Sequence, residues 1–423
     1  MEYVDGRKKR GEEIAKSGKL KKEGEHWIVP SQSGHGNYIV SYATKEPICT
    51  CPDFENRHVR CKHIIAVEIS MTHAVDSQGN ITVTQTRKVT YSQDWTSYNT
   101  AQNEEVKLFD TMLSDLVANV EETMQTRGRP RLNLSDELFC AIQKVYSQLS
   151  SRRAESLFEF AESRNQISHK PHFNVTSKVL NREEIAPILE SLLSITALPL
   201  KSIETKFATD SSGFRTRNFM QYAEQKYNLK REHGWLKAHI TVGVRTNVIT
   251  ALRVTENTGE GSADSPNFVP LMQKTHELGF KVEEASADKA YNSRDNMNLI
   301  DEMGGVPYIP FKSNSTGKPR GNNHIWRKMY AMFMLRKEEF EEHYHLRSNV
   351  ETTFSAWKLK FGDSLKSKNL IAQKNEPFCK AIAYNITVLI HEMFELGIKD
   401  IVNFWLINPY GTSRMCSAIP ALS

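Results

Sequence analysis

No stretch of the 423-residue sequence approaches the ~20 consecutive apolar residues that span a bilayer, and the N-terminus lacks the apolar core of a secretory signal. A cytoplasmic, nucleoid-associated location without membrane partners is expected, and in a reducing compartment cysteines need not pair. Cysteine is scarce: six in all, of which Cys49, Cys51 and Cys61 crowd into thirteen positions. Cys140, Cys379 and Cys416 are scattered in apolar surroundings and read as small buried hydrophobes. Net charge is mild, at +5, and there is no internal repeat. The charge is unevenly placed: Arg7, Lys8, Lys9, Arg10, Lys16, Lys19, Lys21 and Lys22 face few acids, as either a solvated end or an arm that seeks phosphates. Hydrophobic residues at 39% and charged residues at 25% are ordinary for a globular chain, and the length implies two to four domains.

Two short strands with a Gly-rich turn between them are expected over 26–42, then a helix from His63 to about Met71. Residues 74–104 are polar and read as a linker. Apolar residues Val106, Phe109, Leu113, Leu116, Val117 and Val120 recur at helical spacing. Further helices are expected with Ser135 as an N-cap, from near Arg152, and over about 182–195. After residue 200 the pattern changes to strands at Lys206–Asp210, Lys237–Val244 and Val248–Thr255. A helix from Asp264 to Leu278, a strand at Lys281–Asp288, a helix at Ser293–Met303 and a strand at Val306–Phe311 follow. Helical stretches over about 326–361 and 377–396 end the series. Three strands, helix, strand, helix, strand is the order of an RNase H-like α/β domain, although alternating elements alone fit many α/β folds.

Cys49-Thr-Cys51-Pro followed by Cys61-Lys-His63 offers three thiols and an imidazole, the donors zinc prefers in a closed tetrahedral site. His58 is a rival ligand of lower rank. A domain of about 50 residues buries little core, so a metal would supply folding energy. These residues resemble the SWIM zinc finger over roughly 25–70, which implies binding to DNA or to protein. Arg127-Gly-Arg129-Pro-Arg131 resembles the core of an AT-hook: either a charged interhelix linker or an extended arm whose arginines enter a narrow minor groove.

Phosphodiester chemistry with two metals needs about three carboxylates converging on a pair of Mg²⁺ ions about 4 Å apart. Asp210 and Asp288 each close an expected strand, and the first and fourth strands of an RNase H-like sheet are neighbours. Tyr344-x2-Arg347-x3-Glu351-x6-Lys358 has helical offsets, so all four are expected on one face of a single helix. With the two upstream acids, this segment resembles the signature of DDE transposases of bacterial and archaeal insertion sequences, over roughly 200–400. The resemblance implies an RNase H-like fold and a catalytic triad of Asp210, Asp288 and Glu351 holding two Mg²⁺ ions, with Mn²⁺ as a substitute. It also implies Arg347 and Lys358 on DNA phosphates; Tyr344 on the same helix face is expected to join them, and Lys289 beside Asp288 is a weaker candidate contact. Asp264 sits where the group often carries a further acid; it is assigned no firm role, and a helix cap is the simpler reading.

The expected architecture is multidomain: a basic arm (1–24), a small ββα SWIM-like finger holding structural Zn²⁺ (25–73), a linker (74–104), an all-α DNA-binding or dimerisation region (105–200), an RNase H-like catalytic domain with a mixed sheet flanked by helices (201–405), and a tail (406–423). The expected activity is transposase chemistry: cleavage at transposon ends and transfer of the freed 3′-OH into target DNA, on double-stranded DNA and in a homodimer. The alternatives are a non-catalytic DNA-binding descendant and an RNase H-like nuclease without strand transfer.

Overall fold

The computed structural model describes residues 6–16, 20–23, 26–32, 36–41, 47–57, 60–69, 71–75, 81–85, 95–118, 120, 132–216, 234–257, 261–318 and 324–396. Arg127, Arg129, Arg131, His58, Cys416 and the expected tail lie outside the described residues. The chain forms two compact units, Met1–Asp94 and Trp95–Ser423. No described helix is long and apolar enough to cross a membrane.

The first unit is built on an antiparallel sheet in the order β1 (Lys21–Glu23), β2 (His26–Pro30), β3 (Asn37–Ser41), β4 (Ile48–Cys49). Two strands were expected here. The other two escape a hydrophobic pattern because β1 is three charged residues and β4 only two residues long. Period-2 alternation turns Trp27 and Val29 inward, and Trp27 pairs with Val40. Helices α1 (Gly6–Lys16), α2 (Pro52–Arg57) and α3 (Lys62–Ile69) complete the unit, with a hairpin of β5 (Met71–Val75) and β6 (Ile81–Gln85) inside the stretch expected to be a linker. Part of the basic arm is therefore helix. Ile14 of α1 joins the core, and Gly11 sets the approach: a Cβ there would lie 2.8 Å from Ile65 Cγ2 and 3.1 Å from the Lys62 carbonyl.

The second unit opens with α4 (Trp95–Val117), α5 (Leu134–Ser147), α6 (Ser151–Ser163), α7 (Val175–Leu180) and α8 (Ile185–Ala197). Asn133, not Ser135, takes the N-cap position of α5. These helices share one hydrophobic core with the sheet that follows. That sheet comprises β7 (Lys206–Arg215), β8 (Trp235–Gly243), β9 (Ile249–Glu256), β10 (Glu284–Ala287) and β11 (Val306–Tyr308), in the order β11-β10-β7-β8-β9. The first three strands run antiparallel, while β10 and β11 run parallel to β7. It is a mixed sheet flanked by helices: α9 (Ser265–Glu277) and α10 (Arg294–Glu302) within the strand series, and α11 (His324–Leu335), α12 (Lys337–Tyr344), α13 (Ser348–Phe361) and α14 (Leu370–Glu395) after it. Ser293 caps α10 by accepting from the Asn296 amide at 3.1 Å.

Alternation along β7 decides what each face sees. Thr209 faces Met272 of α9 at 3.7 Å, whereas Phe214 meets Trp357 of α13 edge-on at 5.0 Å. Asp210 and Ser212 share the parity of Phe214, so they face α13. At the free edge of β9, the fully buried Asn385 of α14 donates to the Ile249 carbonyl at 2.8 Å and to Thr196 at 3.0 Å, and accepts from the Ile249 amide at 2.9 Å. An amide side chain thus pairs the open edge of the sheet. Asn385→Leu leaves two buried backbone groups unpaired and is expected to cost about 2–5 kcal/mol in urea unfolding; a change below about 0.5 kcal/mol would mean the edge is satisfied in another way.

Candidate active site and metal centre

In the first unit β4 ends at Cys49, Cys51 precedes α2, Cys61 precedes α3, and His63 lies in its first turn. All four are buried, and their donor atoms lie within 4.8 Å of one another. Among the described residues this is the one group of three or more Cys, His, Asp or Glu side chains so close together. His63 Nδ1 stands 3.9 Å from both Cys49 Sγ and Cys61 Sγ, against about 3.6 Å between nitrogen and sulfur around a tetrahedral zinc ion. The donor chemistry and the spacing fit zinc. The other ring nitrogen of His63, Nε2, is buried with no hydrogen-bond partner among the described residues. Hydrogen bonding from Cys49, aided by His63, holds the Cys61 thiol below its usual range, against the effect of burial.

The second constellation lies on the sheet. Parallel pairing of β10 with β7 ends at Thr209↔Ala287, and Asp210 and Asp288 are the next residue on each strand. Asp210 was expected to close its strand; instead it sits inside β7, which continues to Arg215 because β8 pairs with it that far. Asp210 Oδ1 accepts from the Ser211 amide at 2.8 Å and Oδ2 from Arg347 Nη1 at 2.8 Å. The other arm of the same guanidinium donates to Glu351 Oε1, so Arg347 bridges two of the three expected acids. Asp288 is half-buried and accepts from the Lys289 amide at 2.7 Å, capping a 3₁₀ turn. Burial pushes the Asp210 carboxyl above its usual range. Ser211 and Arg347 pull it back, while Asp288 and Glu351 add to the rise. Such a cluster of oxygen donors that already retains a cationic group fits a hard divalent ion.

The Tyr-Arg-Glu-Lys segment is not the single helix expected. Tyr344 ends α12, His345–Arg347 is a 3₁₀ turn, and Ser348 opens α13. Torsions near φ −60°, ψ −20° at His345 and Ser348 tighten the chain without breaking its direction. The Arg347 guanidinium lies 5.9 Å from the Tyr344 ring centroid. Lys358 reaches β7, donating to Ser212 Oγ at 2.6 Å and to the Gly213 carbonyl at 2.9 Å. Burial lowers its pKa. Lys289 is exposed.

Asp264 does not cap α9 with its side chain. Its carboxylate accepts from Ser211 Oγ at 2.7 Å and pairs with Lys237 at 2.6 Å. Burial works against that charge, but the two donors prevail and hold its pKa low. His239, fully buried and pushed down to about 4 by burial, stays neutral 3.6 Å away. Sequence reasoning missed Ser211 and Lys237. The only trace was Lys237-x-His239 on one face of a strand, a weak signal.

The zinc assignment predicts that the purified chain holds about one zinc ion, released as 4-(2-pyridylazo)resorcinol complex on thiol modification. Cys61→Ser should lose most of it. Metal content equal to that of the parent would rule the cluster out as the binding site.

Residues 201–386 match the family model described as the transposase DDE domain, and residues 38–71 match that of the SWIM zinc finger. No curated protein matches the chain. Among solved structures, the piggyBac transposase synaptic complex with hairpin DNA is similar at 10% identity and a TM-score of 0.35, covering 71% of this chain and 78% of that one. The chain therefore carries a transposase DDE domain preceded by a SWIM zinc finger with a Cys3His zinc-binding cluster.

Proposed function

We propose that the second unit is the catalytic unit of a DNA transposase of the Tyr-Arg-Glu-Lys group, with an RNase H-like sheet, acting on double-stranded DNA at an element's ends and on target DNA. The observation that carries this is the convergence of Asp210 and Asp288, one residue past the last pair of two neighbouring parallel strands, with Glu351 joined to Asp210 through Arg347.

Asp210, Asp288 and Glu351 would hold two Mg²⁺ ions, for which Mn²⁺ substitutes. Such ions, when bound, activate an attacking oxygen and stabilise a leaving one. Arg347 and Lys358 supply positive charge beside the acids for the DNA phosphates, with Tyr344 beneath Arg347 and the exposed Lys289 at the rim. Ser211 ties the strand carrying Asp210 to Asp264, and so resists rotation of the Asp210 backbone. Arg127, Arg129 and Arg131 would add contacts in a minor groove, and the helices before residue 200 would join the finger in recognising ends or organising a homodimer. Two ends must be cut and joined together, which favours a dimer in the active complex.

The test is strand cleavage on DNA carrying the flanks of the gene's own element, with Mg²⁺ or Mn²⁺. The native chain is expected to expose a 3′-OH and to form joined products, and Glu351→Ala to lower the rate by about 10³-fold or more. Cutting without joining would leave a nuclease. Equal DNA binding by both chains, with no cutting by either, would leave a binding protein.

A further inference from the structure

Away from the acids, the loop between α13 and α14 and the turn between α5 and α6 enclose an opening of about 430 Å³. Its wall holds Lys144, Lys366 and Lys368, with hydroxyls from Ser150, Ser151 and Ser367, and contains no acidic side chain. Behind it, Lys144, Lys366 and the buried Lys380 gather around one buried carboxylate, Glu376. That carboxylate is already engaged by the amides of Lys366 and Ser367 at 2.8–3.0 Å. Lys380 spends its ammonium on the carbonyls of Gly362 and Ser364, and Lys366 donates to the Gln148 carbonyl. The half-buried Lys144 has no carboxylate within 4.0 Å among the described residues. Burial lowers the pKa of both Lys144 and Lys366, Glu376 opposes it at both, and Lys366 adds to the lowering at Lys144. Three ammonium groups against one acid, around an opening free of negative charge, is a costly arrangement that an entering anion relieves. The first turns of α6 and α14 border the same opening, and their N-cap residues Ser150 and Asn369 make no side-chain cap.

We infer that this opening is a second DNA contact, seating a backbone phosphate of a duplex with Lys144, Lys366 and Lys368. The inference rests on the reading of the chain as DNA-acting and names one anchoring point. The loop is tied to the far end of β7, where Leu365 donates to the Arg215 carbonyl at 2.7 Å. Arg215 lies about 16 Å along the strand from Asp210, at ~3.3 Å per residue. At 3.4 Å per nucleotide along one strand, the seated phosphate is about five or more nucleotides from the bond at the acids. The serine hydroxyls and lysine ammoniums read phosphate and not bases, so this contact positions DNA without selecting sequence.

Binding of a fluorescein-labelled 30-base-pair duplex to the full chain, in EDTA so that no strand is cut, is followed by anisotropy across about 50–300 mM KCl. Three variants are compared with the native chain: Lys144→Gln/Lys366→Gln, Lys368→Glu at the exposed rim, and Lys281→Gln before β10 as a charge control. Both pocket variants are expected to bind about five- to tenfold more weakly at 100 mM salt, with a log–log salt slope shallower by about one, while Lys281→Gln keeps the native slope. Native slopes in both pocket variants overturn the inference, as does a chain that binds no duplex. Should the double variant fail to fold, Lys368→Glu alone decides. Calorimetry with inorganic phosphate separates the sources: phosphate binding lost in Lys144→Gln/Lys366→Gln with unchanged DNA slopes makes this a site for a free anion and overturns the DNA assignment. A chain whose slopes shift as expected but which never cuts DNA loses only the transposase reading, and one that cuts with unchanged slopes loses only this contact.

Discussion

Three carboxylates brought together in a partly buried place repel one another. The charges of Asp288 and Glu351 both push the Asp210 carboxyl upward, which is the sign of that repulsion. The surroundings of the acids can be understood as the means of tolerating that repulsion. The backbone fixes Asp210 and Asp288 side by side, because pairing of β7 with β10 stops one residue short of both. Arg347 then places one guanidinium between Asp210 and Glu351. Lys358 lies farther along the same face of β7, held by Ser212 and Gly213. Under them, the Trp357–Phe214 contact presses α13 onto the strand, so the third acid is delivered by apolar packing and not by attraction to the other two. The site remains short of positive charge, the condition a divalent cation answers.

The chain carries two clusters suited to cations of opposite character. The Cys49, Cys51, Cys61, His63 group is buried, soft and closed, with four donors and no place for a substrate. The acids are hard and partly open: Glu351 keeps 55% of its side chain exposed, against 20% for Asp210 and Arg347. A closed site contributes to folding, whereas an open one leaves positions for water and phosphate.

Much of this was visible in the chain before any coordinates. The order of strands and helices after residue 200 follows from period changes in apolar residues. The zinc ligands follow from the rarity of cysteine, and the neighbourhood of Glu351 follows from fixed offsets. What stayed hidden depends on partners distant in sequence. Asp210 reads as a strand end because Ser211, Ser212 and Gly213 are weak strand formers; β8 keeps them in register regardless. The 3₁₀ turn at His345–Arg347 is a matter of some 20° in ψ, which no residue pattern encodes. Asp264 looked like a cap because Asp before Ser-Pro commonly is one, yet Lys237, two strands earlier, captures the carboxylate. Strands of two or three residues, such as β1 and β4, are too short to show a period at all.

The helices before residue 200 are tied to α13, which carries Glu351, by more than shared core. Glu105 of α4, nearly fully buried, accepts from Tyr146 of α5 at 2.7 Å and from Lys360 of α13 at 2.5 Å. Gln148, at the end of α5, donates to the Lys360 carbonyl. Asn375 of α14 holds the carbonyls of Leu180 and Arg182 at 2.9 and 3.3 Å. The last turn of α13 is thereby clamped by α4 and α5, and Lys358 lies in that turn. Packed interiors transmit displacement instead of absorbing it. A force on α4 or α5 is therefore felt at Lys358 and, about two turns back along the same helix, at Glu351. α5 also bears Lys144, which lines the basic opening, so the wall of that opening and the clamp on α13 share a helix.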